Sequence, residues 1–246
     1  MTQLVLLHAF PLDSQMYTGV ARHMSHQLLT PDLPGFGGTA VPNAEPSLDV
    51  YADAVADELD RLQVGRVVLG GTSMGGYVTM AFARRHRDRV AGLALIDTKA
   101  SADTPDAAQG RRAMAAQMLR EQTNAPLLDV VAPKLLGETT ARDRPEVVEQ
   151  VRGWVSDAPP ASAAFAQQAM AARPDSTDTL RALDVPSLIV VGTEDVLTPP
   201  AESQAMAEVL PDGELRQIDG VGHLSPVEAP AEVASVLDDL MGRVDG

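Results

Sequence analysis

The 246-residue sequence has no cysteine, only two lysines (Lys99 and Lys134), few aromatic side chains (3%) and no long apolar run. Each shortage removes a class of explanation. Without cysteine there is no disulfide scaffold, thiolate metal site or cysteine nucleophile. With aromatics this scarce, the core of a chain that is 45% hydrophobic must come mostly from Val, Leu, Ala and Met. Basic residues are in deficit, 19 against 34 acidic ones, for a formal charge of -15. Such a field repels phosphates, so neither nucleic acid nor an anionic membrane is expected as a partner. The opening segment Met1-Thr-Gln-Leu-Val-Leu-Leu-His8 carries no basic stretch, and its apolar run is far short of a signal core or a membrane span. A cytoplasmic location is the resulting expectation.

What the chain does have is an alternation of short apolar runs and helical patterns. Leu4 to Leu7, Arg66 to Gly71, Val90 to Ile96 and Ser187 to Val191 read as strands buried on both faces of a parallel sheet. Shorter strands are expected at residues 28–30 and 214–218. Between them, Ser14 is placed to cap a helix to about residue 27, and Ser47 caps one whose apolar face is Val50, Ala54, Val55, Leu59 and Leu62. Helices are also expected after Gly75, over residues 200–209 and over residues 229–241. The pattern predicts a doubly wound α/β sheet with right-handed crossovers. It breaks over residues 98–182, which read as a helical insertion of four helices (105–123, 126–136, 145–155 and 160–172). The core is then residues 1–97 and 183–246.

The most informative stretch is Gly71-Thr72-Ser73-Met74-Gly75, a Gly-x-Ser-x-Gly joint between strand and helix. Glycines two residues either side of Ser73 let strand and helix approach while the serine occupies a strained turn that exposes its Oγ. Glycine-rich strand-to-helix turns also bind nucleotides, so the reading depends on what the other loops supply. At the carboxyl ends of later strands stand Asp195 and His223, giving the order Ser, Asp, His. Asp97, at the end of the strand before the insertion, is a rival for the acid. His23 and His26 have a two-ligand spacing without a third donor, so no metal is expected.

The chain resembles the α/β-hydrolase superfamily over nearly its whole length. The landmarks are His8-Ala9-Phe10-Pro11, Asp32-Leu33-Pro34-Gly35-Phe36-Gly37, Gly71-Thr72-Ser73-Met74-Gly75-Gly76, Gly192-Thr193-Glu194-Asp195 and Gly222-His223. Within it the chain is most similar to the small esterase, enol-lactonase and cofactor-free haloperoxidase/perhydrolase group. The resemblance implies Ser73 as nucleophile, His223 as base, Asp195 as its carboxylate partner, and backbone N–H groups of Phe10 and Met74 as oxyanion donors. It implies a small ester or lactone as substrate and no cofactor. Relatives usually read His-Gly where this chain has His8-Ala9, and they carry a leading hairpin before its first strand, so about six strands are expected. A helical cap over residues 98–182 would shape the pocket, with Phe36, Tyr77, Met114, Met118, Trp154, Phe165 and Met170 as candidate lining residues. Other readings stay open: peroxide as acyl acceptor, C–C bond hydrolysis, or a hydrolase-fold small-molecule sensor. Tyr77 stands where the menaquinone-pathway branch carries arginine, and a haloalkane dehalogenase would need Asp at position 73.

Overall fold

A computed structural model describes residues 2–246. Among these residues six strands form one wholly parallel sheet in the order β2-β1-β3-β4-β5-β6. They are β1 (Gln3–Leu7), β2 (Leu28–Leu29), β3 (Val67–Thr72), β4 (Val90–Ile96), β5 (Ser187–Gly192) and β6 (Gly213–Ile218). The expected α/β hydrolase sheet is therefore present with its expected strand number. Every residue of β3 and β5 is buried, which is why they read as continuous apolar runs rather than alternating ones. A fully buried Val or Leu contributes roughly 1.5–3 kcal/mol, and Leu4, Val5, Leu6, Val67, Val68 and Leu69 all have no exposed surface.

Helices α1 (Thr18–His23), α2 (Leu48–Arg61), α3 (Met74–Arg85) and α10 (Pro200–Val209) lie in the sheet's connections, and α11 (Ser225–Glu228) and α12 (Pro230–Asp245) follow its last strand. Ser47 caps α2 through a bond from Asp49 N. The segment expected to begin at Ser14 differs. Asp13 caps a 3-10 turn over Ser14–Tyr17, and α1 stops at His23 because Met24 is extended. Ser14 instead donates its N–H to Asp32.

Between β4 and β5 the chain is wholly helical. The elements are α4 (Pro105–Glu121), α5 (Ala125–Val130), α6 (Glu138–Asp143), α7 (Pro145–Asp157), α8 (Pro160–Ala171) and α9 (Thr177–Arg181). Prolines at the first turns of α4, α5, α7 and α8 make those starts readable, since proline costs nothing where no intrahelical N–H bond exists. The expected helix over 126–136 is split into α5 and a 3-10 turn at Ala132–Lys134, and α6 and α9 are additional. These two are too short to show helical periodicity in sequence.

The chain runs from β1 outward to β2 and then crosses back to β3, so the direction of strand addition reverses between β1 and β3. Open α/β sheets hold their sites beyond the carboxyl ends of strands at such a reversal. Here those ends carry the loop of Phe10 and the turn of Ser73. Among the described residues no helix is long and apolar enough to cross a membrane.

Candidate active site

Ser73 sits between β3 and α3 at φ 54° and ψ -112°, a conformation costly for any residue with a Cβ. Its flanking glycines explain how the turn is possible. A Cβ on Gly71 would lie 2.3 Å from the backbone of Gly75, and one on Gly75 would lie 2.0 Å from the carbonyl oxygen of Leu7 in β1. Strand, turn and helix therefore pack backbone to backbone. The turn is pinned by Ser73 N to Ile96 O at 2.9 Å and by Thr98 Oγ1 to Ser73 O at 2.8 Å. Buried Tyr17 donates to Leu7 O at 2.8 Å and meets Thr72 Oγ1 at 2.8 Å, holding β1 and β3 in place beside it.

The hydroxyl of Ser73 lies 2.7 Å from His223 Nε2, and His223 Nδ1 lies 2.8 Å from Asp195 Oδ2. Asp195 is held from three sides: Leu197 N and Thr198 N donate to Oδ1 at 2.8 and 2.9 Å, and Thr198 Oγ1 donates to Oδ2 at 2.7 Å. With Nδ1–H donated to the carboxylate, Nε2 accepts from Ser73 and can take its proton. Burial opposes the imidazolium of His223, but Asp195, and beyond it Asp97 and Glu228, outweigh that and raise its pKa above the ordinary 6.5. Burial likewise works against the Asp195 charge, and His223 with the Thr198 donors reverses the balance, so its carboxyl stays below the usual range.

Asp97 does not reach the imidazole. Its Oδ1 accepts from Gly192 N at 3.1 Å, and its Oδ2 accepts from Ser225 N and Ser225 Oγ at 2.8 and 2.7 Å. It thereby joins the end of β5 to the segment just after His223. Burial first, and then the charge of Asp195, push its pKa up to about 7. Behind His223 lies a second buried carboxylate. Glu228 accepts from Gly222 N at 3.0 Å and Leu224 N at 3.3 Å, and with its other oxygen from Gly137 N at 2.9 Å, in the helical segment between β4 and β5. Arg144 donates to the carbonyl of Glu228 at 2.8 Å.

The backbone N–H groups of Phe10 and Met74 pair with no protein acceptor among the described residues. Phe10, Ser73 and His223 line a cavity of about 110 Å³ together with Tyr77, Leu197 and Thr198 from the core and Arg111, Val131, Leu135, Gln167 and Met170 from the inserted helices. Of the candidate lining residues, Tyr77 and Met170 are there and five are not. Phe36 is buried and packs edge-on against His8. Phe165 packs edge-on against Tyr51 at 5.8 Å, joining α8 to α2. Met118 is fully buried within the insertion, and Met114 accepts a weak bond from Gln167. Trp154 faces a separate surface cleft of about 500 Å³, larger than the serine's cavity but touching neither Ser73 nor His223. Met118 and Phe165 go to the interior instead, while Trp154 turns to the other cleft. The polar Arg111 and Gln167, which no sequence signal marked, also line the serine's cavity.

The remaining histidines lie outside the cavity. His8 accepts from Leu33 N at 3.0 Å and contacts Ala9 O, bracing the loops after β1 and β2. His26 has a carboxylate partner that sequence spacing did not reveal, Asp238 at 2.7 Å on α12, and His86 meets Asp53 at 2.9 Å. Glu194, beside Asp195, accepts from Thr139 N and Thr139 Oγ1 at 2.8 and 2.7 Å, tying α6 to the loop that carries Asp195.

The profile of the family described as alpha/beta hydrolase fold matches residues 2–230. The chain belongs to this family. Among curated proteins it is similar to the pimeloyl-[acyl-carrier protein] methyl ester esterase of Aromatoleum aromaticum, 30% identical over 253 residues covering 97% of each chain. Among solved structures it superposes on a thermophilic esterase from Thermogutta terrifontis, determined with malate bound, with a TM-score of 0.95 at 40% identity, covering 99% of this chain and 90% of that one. The enol-lactonase of Burkholderia xenovorans LB400 shares the fold, with a TM-score of 0.88 at 23% identity over 98% of this chain and 92% of that one.

Proposed function

We propose that this chain is a serine hydrolase that cleaves a small carboxylic ester or lactone through an acyl-serine intermediate. The observation that carries the reading is the continuous relay from Ser73 Oγ to His223 Nε2 at 2.7 Å and from His223 Nδ1 to Asp195 at 2.8 Å, opening on a cavity. In acylation Ser73 Oγ attacks the ester carbonyl while its proton passes to His223. The tetrahedral oxyanion takes the free N–H groups of Phe10 and Met74, each worth on the order of 3 kcal/mol in the transition state. Collapse expels the alcohol, which leaves with the proton from His223. Water then attacks the acyl-serine, again losing its proton to His223, and the carboxylic acid departs with Ser73 restored. Asp195 stays ionised throughout and stabilises the transient imidazolium. The inserted helices serve as a cap whose inner face sets what fits.

Esterase activity named for the Thermogutta terrifontis and Aromatoleum aromaticum proteins supports ester hydrolysis over the other chemistries that this family hosts. A cavity of about 110 Å³ supports a small substrate, since sites for drug-sized ligands run to roughly 300–1,000 Å³. The test is hydrolysis of p-nitrophenyl acetate by the wild-type protein and by Ser73→Ala and His223→Ala. Turnover by the wild type and its loss, by about 10⁴-fold or more, in variants that still melt cooperatively is the expected result. Retained activity in Ser73→Ala would overturn the reading.

A further inference from the structure

Among the residues lining the cavity of Ser73 is a cation whose bonding is incomplete. Arg111, on α4, is 26% exposed and lines the cavity. Its Nε donates to Asp103 Oδ2 at 2.7 Å, and its Nη1 donates to Gln167 Oε1 at 2.9 Å and lies 3.7 Å from Met170 Sδ. Its remaining nitrogen, Nη2, has no protein acceptor among the described residues. The guanidinium plane is thus fixed from two sides while one of its faces of donors is left open.

A second guanidinium lies beside it. Asp103, 4% exposed, is shared with a second guanidinium, that of Arg173, 3% exposed, at 2.8 Å. Arg173 is in turn stacked over the ring of Tyr77, 4.1 Å from its centroid. Two guanidiniums therefore share this one carboxylate, so Asp103 does not satisfy Arg111 alone. Arginine in such a fixed, partly desolvated setting is the residue suited to bind a planar carboxylate.

We infer that the substrate is a small ester or lactone bearing a free carboxylate, and that Arg111 is the residue that recognises it. The inference rests on the hydrolase reading above and narrows its substrate class. Arg111 binds the spectator acid group through Nη2, Asp103 and Gln167 hold the guanidinium in place, and the scissile carbonyl is presented to Ser73 in the same cavity. Because the guanidinium is already immobilised, little side-chain entropy is lost when the carboxylate arrives.

The experiment compares kcat/KM for monomethyl succinate, whose carboxylate is on the acyl side, and acetoxyacetate, whose carboxylate is on the alcohol side, with the neutral esters methyl butyrate and ethyl acetate. The wild-type protein is expected to favour one acidic ester over its neutral counterpart by about tenfold or more at low ionic strength, and salt should erode that preference. Which acidic ester is favoured tells on which side the carboxylate sits. Arg111→Gln should lower the acidic-to-neutral ratio by about tenfold, chiefly through KM. Arg111→Lys should recover part of it, and Arg120→Gln, an exposed charge on the same helix, should leave the ratio as it was. A ratio that Arg111→Gln does not change, even if the melting temperature falls, would mean that Arg111 only ties α4 to α8 and would overturn the inference. Binding of monomethyl succinate and acetoxyacetate to the Ser73→Ala protein, followed by calorimetry with and without Arg111→Gln, reads the recognition without turnover. Arg111-dependent binding with no hydrolysis of any ester would sink the hydrolase reading and keep the recognition, whereas hydrolysis with Arg111-independent binding would do the reverse.

Discussion

On the sheet side of the cavity, Gly71 and Gly75 leave no room for a methyl group, and Ser73, Asp195 and His223 are each held by short bonds to neighbouring backbone or side chains. In the inserted helices, a Cβ on exposed Gly110 of α4 or Gly153 of α7 would meet nothing within 4 Å, and α4 and α8 are rich in alanine. The elbow tolerates almost no change in backbone position, while the other side is a set of alanine-rich helices whose contacts depend on side-chain size. The first suits chemistry that needs reacting atoms placed to within a fraction of an ångström. The second suits a surface whose shape can vary without loss of the fold.

The largest test of this contrast is on the rigid side. Asp195→Asn preserves shape but removes the charge that fixes the His223 tautomer, and kcat for p-nitrophenyl acetate should fall about 10⁴-fold. Gly75→Ala should destabilise the fold by about 3 kcal/mol, because the new methyl meets the Leu7 carbonyl at 2.0 Å. Urea denaturation measures this, and an unchanged midpoint would mean that the elbow is looser than its packing indicates. The pH profile of kcat/KM comes next. As the proposed base His223 must be neutral, and its pKa is raised above 6.5, so activity should rise with pH to a midpoint above that value and fall about tenfold per pH unit below it. Asp97 is among the charges that raise it, so Asp97→Asn should move the midpoint down. A midpoint that stays in place would remove Asp97 from the electrostatics of the site. The smallest effect lies on the helical side. Gly110→Ala and Gly153→Ala should each stabilise by about 0.5–1 kcal/mol, since both are mid-helix, exposed and unobstructed. A loss of stability there would show that the helical wall is as intolerant as the elbow.

The same contrast explains what could be read from sequence. The sheet was legible because a strand buried on both faces is written as an unbroken apolar run, as in Val67–Leu69 and Leu188–Val191. The residues that converge on Ser73 were legible because sharp turns demand glycine at set distances, and because Asp195 and His223 stand at loop ends after later strands. Helix starts in the insertion were marked by Pro105, Pro145 and Pro160. Which face of those helices points at the serine was not legible. On α8, alanines occupy both the buried side and the helix ends, so apolar periodicity selects no direction. Arg111 and Gln167 are set facing the cavity by the pairing of α4 with α8 and by Asp103 before α4, and no local spacing announces such a pairing. The bonds from Thr139 to Glu194 and from Gly137 to Glu228 are likewise contacts between segments far apart in the chain.

Glu228 makes the helical segment less interchangeable than its position between two strands suggests. One of its oxygens serves the backbone on either side of His223 and the other serves Gly137, so a single buried carboxylate is satisfied jointly by the histidine loop and by the insertion. A foreign insertion spliced onto this core would have to bring its own backbone donor to that point. Otherwise it would leave a charged oxygen unpaired directly behind the imidazole, at a cost of about 1–3 kcal/mol or more. Efforts to redirect specificity are therefore better aimed at the inward faces of α4 and α8 than at exchange of the whole segment, with the Gly137–Thr139 edge kept as the fixed seam of the graft.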